Sequence, residues 1–73
     1  MDRATLLDLL ARAEHHMIFG KRQIDNQYRI IAKLESEGHD TVAAVELLKE
    51  FIEAQELYER DRDMLITKLA TAS

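Results

Sequence analysis

A chain of 73 residues with no cysteine and no proline has room for one small core and no covalent staples, so self-association is the expected substitute. All of its formal net charge of −4 falls after residue 39, and the basic groups before that point are matched by acidic ones. This disfavours nucleic acid, whose binding needs an unneutralised basic face to release counterions from phosphates.

The N-terminal Met1-Asp2-Arg3-Ala4-Thr5 leads into no long apolar run, and polar residues interrupt every apolar stretch. The expectation is a cytoplasmic chain that neither crosses a membrane nor is secreted. From there, Leu6, Leu10, Ala13, Met17, Gly20, Ile24, Gln27, Ile31 and Leu34 follow one another at alternating steps of four and three. That is the heptad seam of a helix packed along its length against another. Helix one is expected over about residues 3–36. Gly38 suits the left-handed position that closes a helix, because it has no Cβ to clash there.

Residues 37–40 form the predicted turn, with Gly38, His39, Asp40 and Thr41 as the turn and capping residues. Asp40 or Thr41 can accept a hydrogen bond from an orphan N–H of helix two, which is expected over about residues 41–70, followed by a short C-terminal tail. Residues 1–73 therefore read as one all-α, antiparallel, coiled-coil-like hairpin with arms of about 45–50 Å. A turn centred on Gly38 and His39 sets residue i opposite about 78 minus i. Ile31 then falls near Leu47 and Leu48, Gln27 near Phe51, Gly20 near Tyr58 and Ala13 near Leu65, so small or thin seam positions meet large ones. The basic stretch Lys21–Lys33 runs beside the acidic stretch Glu46–Glu56, a complementarity that helps select orientation. Gln27 and Gln55 near the seam are expected to fix register by hydrogen bonding.

Two helices do not cover all the apolar residues. Ile18 and Phe19 lie off the seam, while Leu7, Leu9, Ile30, Ile52, Leu57 and Ile66 widen the stripes to about three positions in seven, the width of a helix in a bundle. The simplest partner is a second copy, giving a homodimeric four-helix bundle. The expected interaction surface comprises Leu9, His16, Ile18, Phe19 and Ile30.

Residues with chemical potential are few. Glu14-His15-His16-Met17 contains metal-ligand types, but adjacent helical residues point about 100° apart. His15 and His16 therefore cannot share an ion within one chain, and the Glu-x-x-His pair of di-iron bundles is absent. His39-Asp40 is similar to the His-acid pair of phospho-accepting kinase hairpins but sits in the turn, where Asp40 has a capping role. No phosphate-binding Gly-rich loop and no nucleophile beside a base is present. The acidic residues of helix two, interspersed with Lys49, Arg60 and Arg62, read as a solvated face. No enzyme activity, cofactor or metal is expected.

The pattern Ala13-Glu14-His15, Arg22-Gln23, Leu34-Glu35, Gly38-His39-Asp40-Thr41, Ala44, Leu47-Leu48, Phe51, Gln55, Leu57 and Asp61-Arg62-Asp63 resembles a group of small uncharacterised helical-hairpin proteins of soil and plant-associated proteobacteria. The resemblance spans about residues 13–65 and rests chiefly on the Gly-His-Asp-Thr turn. It implies a bacterial protein and carries no functional residue with it. The expected role is a non-enzymatic interaction or structural module that self-associates. One alternative is a small ligand- or metal-binding bundle with His16, Met17, Gln27 and Tyr58 lining a site between the helices. Another is a small regulator that docks on a larger protein through Ile18 and Phe19.

Overall fold

A computed structural model describes residues 2–71, which form two packed α-helices, α1 (Arg3–Ser36) and α2 (Val42–Thr71). The end of the expected C-terminal tail, residues 72 and 73, lies outside the described residues. No described helix is long and apolar enough to cross a membrane.

α1 begins at Asp2, whose extended backbone (φ −77, ψ 166) turns its carboxylate back onto the Thr5 N–H at 2.7 Å. Bonding from the Thr5 backbone, and then from its side chain, holds the Asp2 carboxyl below its ordinary value of 3.8. A side-chain acceptor at this place satisfies one of the four N–H groups that a helix start leaves unpaired.

The other end of α1 closes in a double reverse bond. The Gly38 N–H donates to the Glu35 carbonyl at 3.1 Å, and the His39 N–H reaches back to the Leu34 carbonyl at 2.9 Å. This is the Schellman pattern, and Gly38 occupies its left-handed position with φ +74. Two residues later the Asp40 carboxylate accepts from the Val42 N–H at 2.9 Å. The Thr41 carbonyl accepts the first helical bond of α2, from Val45. Between the two capping candidates, Asp40 therefore works through its side chain and Thr41 through its backbone.

The seam of α1 is where the spacing places it. Leu6, Ala13, Gly20 and Gln27, each two turns apart, are buried, as is Ile31, with Leu10, Met17, Ile24 and Leu34 half-buried. α2 carries an equally regular seam: Thr41, Ala44, Leu48, Phe51, Gln55, Tyr58, Arg62, Leu65 and Leu69, at steps of three and four, are all buried or half-buried. Arg62 is thus a seam residue, not part of a solvated face. Its side chain is 34% exposed and its guanidinium turns out to Asp63 at 3.0 Å.

The two seams mesh about three residues away from the expected register. Gly20 faces Gln55 rather than Tyr58, and Tyr58 stacks on His16. The facing rule is about 75 minus i at the middle of the hairpin, whereas the expected neighbourhood of Ala13 and Leu65 is kept, the two lying in one buried cluster with Leu6. The turn between the helices runs over residues 37–41, with the bond from His39 back to Leu34 closing α1.

Two cross-helix hydrogen bonds hold this register, and both come from the expected glutamines. Gln27, buried, donates Nε2 to the Ala44 carbonyl at 2.9 Å; Gln55 donates Nε2 to the Met17 carbonyl at 2.8 Å. The second bond needs close approach, and Gly20 permits it. A Cβ built on Gly20 would run into the Gln55 carboxamide, lying 3.1 Å from its Cδ and closer still to Oε1. That oxygen is buried and accepts no hydrogen bond among the described residues.

Charge contributes less to the pairing than expected. Lys21–Lys33 does run beside the start of α2, but the described ion pairs are local ones, Arg12–Asp8, Lys33–Glu37, His39–Glu37 and Arg62–Asp63. None bridges α1 to α2. Exposed local pairs of this kind contribute at most about 1 kcal/mol each.

Three outcomes test these assignments. Ala for Gly in mid-helix ordinarily stabilises by about 1 kcal/mol. Gly20→Ala is expected to destabilise by about 1–2 kcal/mol instead, because the methyl group displaces a hydrogen-bonded carboxamide. In a Gln55→Ala background the same change should regain its ordinary sign, a coupling of about 2–3 kcal/mol readable in a denaturation double-mutant cycle at fixed protein concentration. At Gly38 nothing lies within 4 Å of an added Cβ, so Gly38→Ala should cost only the left-handed strain, about 1 kcal/mol, with Gly38→Asn costing less. Asp2 has a depressed folded pKa, so its contribution is complete above the ordinary value and disappears as pH falls through the depressed one. Titration followed at the Thr5 amide should show this first-turn loss, and Asp2→Ala should abolish it.

Candidate interaction surface

Helical geometry gives the hairpin two long flanks, one on each side of the seam. The first is marked by an open concavity of about 350 Å³ whose lining includes Leu9, Arg12 and His16 of α1 and Tyr58, Asp61 and Met64 of α2. The His16 ring lies over Tyr58 with centroids 5.1 Å apart at 37°. Seven residues make two turns, so directions repeat along the flank. Phe19 repeats Arg12, Leu57 repeats Met64, Ile30 continues the Leu9 and His16 line, and Leu47 continues that of Asp61.

The His16 flank consequently carries apolar residues around Phe19 and Leu57 and again at Ile30 and Leu47, with Gln23, Asn26 and Glu50 between them. Phe19 and Leu57 are 59% and 58% exposed, Ile30, Leu47 and Met64 are exposed, and Leu9 and Ala54 are half-buried. Arg12 and Asp61 are its charged residues near the concavity. Arg12 is held by Asp8 at 3.1 Å on its own helix.

Four of the five expected surface residues, Leu9, His16, Phe19 and Ile30, lie on this flank. Ile18 does not. It is 56% exposed, yet it borders the opposite concavity with Glu14, Met17 and Arg62. Adjacent helical residues diverge by about 100°, which carries Ile18 and Phe19 to opposite sides of α1. The second flank is mixed, with Glu14, Lys21, Tyr28 and Glu35 at the corresponding positions along α1 and Val45, Ile52, Glu59 and Ile66 along α2.

The site imagined between the helices is not assembled. His16 and Tyr58 share one concavity, Met17 borders the other, and the Gln27 amide is bonded to Ala44 more than two turns away. Among the described residues no three His, Asp or Glu side chains converge in a way that could hold a metal ion. The turn residues serve structure: Gly38 and Asp40 as described, and His39 with Nε2 3.4 Å from the Glu37 carboxylate.

The contributions of α2 to the His16 flank, Leu47, Leu57 and Met64, were not gathered into a surface from sequence. Their signal is a seven-residue echo, Leu57 to Met64, visible once Gln55 and Arg62 are accepted as seam positions. No family model, curated protein or solved structure matches the chain.

Proposed function

We propose that the chain is a non-enzymatic protein–protein interaction module whose working form is a homodimer, two hairpins closing a four-helix bundle through the His16 flank. The resemblance carried by Gly38-His39-Asp40-Thr41 suggests a bacterial protein, and its placement in the cytoplasm belongs to the same proposal.

The observation that carries this reading is surface area. The hairpin exposes 5594 Å², whereas a compact monomer of 8.5 kDa exposes about 4,700 Å². The excess of about 900 Å² is close to the ~800 Å² that one partner contributes to a standard interface. The shape agrees, at 57 × 14 × 13 Å with a radius of gyration of 16.7 Å, against about 11 Å for a compact chain of this length. Among the described residues no large side chain is fully buried, and five apolar ones make up the core: Leu6, Ala13, Ile31, Leu48 and Leu65. A core of this size rarely supplies more than about 3–5 kcal/mol, so a second layer on the apolar flank completes what one hairpin lacks.

Light scattering over a concentration series tests the proposal. The expected mass is twice 8.5 kDa, falling towards a single chain on dilution together with helicity, because folding and association are linked. Phe19→Asp should abolish the dimer. Ile18→Asp, on the other flank, should leave it intact. A folded monomer at every concentration would overturn the reading and assign the flank to a different protein.

A further inference from the structure

We propose that the two copies pack with their long axes parallel and both turns at the same end, related by a dyad along the hairpin, so that α1 of each covers α2 of the other. This deepens the homodimer reading above and rests on it.

Two symmetric arrangements can bury the same flank, because a two-fold axis relating stacked hairpins lies either along the rod or across it. Apolar matching does not separate them. Along the rod, Phe19 meets the partner's Leu57 and Ile30 meets the partner's Leu47. Across the rod, with its centre near Phe19, Leu9 would exchange places with Ile30, and Met64 with Leu47.

Charge does separate them. Arg12 and Asp61 border the same concavity, so they stand at one level of the hairpin. With the dyad along the rod, α1 lies over the partner's α2 at unchanged level, which brings Arg12 onto the partner's Asp61 and, about four turns on along α1, Asn26 onto the partner's Glu50. Each contact forms twice. With the dyad across the rod, α2 lies over the partner's α2 reversed. Asp61 and Glu50 sit at nearly equal distances on either side of the centre, so they would meet as like charges, and Arg12 would face the partner's Asn26. Like-charge juxtaposition at an interface disfavours the wrong pairing more strongly than a rim pair favours the right one.

The absence of cysteine makes a single spin label unambiguous. Ser36, exposed at the end of α1, is changed in Ser36→Cys and labelled, and the dipolar distance is measured at a concentration where the mass is that of a dimer. Parallel copies place the two labels within about 30 Å, given interaxial spacings of about 8–10 Å, whereas reversed copies separate them by most of the 57 Å rod. A short distance is the expected result. A distance beyond about 45 Å would overturn the parallel arrangement and leave the dimer standing, while a monomeric mass would overturn both.

A second measurement reads the pairing itself. Asp61→Arg, which has no charged neighbour three or four residues away on α2, should weaken dimerisation about ten-fold, the effect of two facing rim pairs reversed together. Arg12→Glu added to it should restore most of the loss. An unchanged dissociation constant for Asp61→Arg would exclude the Arg12–Asp61 contact.

Discussion

The contact on which the hairpin depends is the Gln55 carboxamide laid across the bare backbone of Gly20 to reach the Met17 carbonyl. Apolar seams are tolerant. A leucine row accepts a neighbour displaced along it at modest cost, because dispersion has little direction. A backbone carbonyl is fixed in space by its own helix, so a donor aimed at it is satisfied in one register. Gln27 repeats the device ten residues on by reaching the Ala44 carbonyl from the other helix. Each helix thus places one amide on the backbone of its neighbour.

These bonds take seam positions away from hydrophobic burial. Gln27, Gln55, Gly20, Ala13 and Arg62 occupy places where a coiled coil of the same length would put leucine or isoleucine, and the buried apolar set is correspondingly short. Polar groups in helical interfaces specify pairing at a cost in stability, and here the cost falls on a chain with little core to spare. The His16 flank is the counterpart of that shortage. Leu57, Phe19, Ile30 and Leu47 hold outside the seam the apolar area missing from it.

The fold was legible because the periodicity of α1 is unbroken and the turn chemistry is concentrated at Gly38 and Asp40. The register was legible only in part: Ala13 and Leu65 share a buried cluster as expected, but the approach of Gln55 to Gly20 and its bond to the Met17 carbonyl depend on the reach of a long side chain, which spacing does not report. The seam of α2 was obscured by composition at Arg62, a charged residue that reads as part of a solvated face, whereas Gln55 was legible near the seam. Grouping Ile18 with Phe19 treated exposure as location, although neighbours in a helix leave it in different directions. The cap at Asp2 leaves a weak mark in the sequence, an aspartate three residues before Thr5 with no Glu or Gln at the third helical position to complete a capping box.

A division of labour between polar and apolar groups follows. Within the hairpin, directional bonds choose a unique alignment of two helices whose apolar seam is thin. Between hairpins, the proposed contact is broad and apolar, and Arg12, Asp61 and Glu50 serve to select one symmetry from two that bury nearly the same residues. The order matters physically. The apolar pairs of the flank form only if α1 and α2 are aligned so that Phe19 stands beside Leu57 and Ile30 beside Leu47, and a slip of one heptad can set Phe19 beside Glu50 instead. The glutamine-held register is therefore the condition for the outer surface, so a lesion at Gly20 or Gln55 is expected to weaken association from a position that touches no partner.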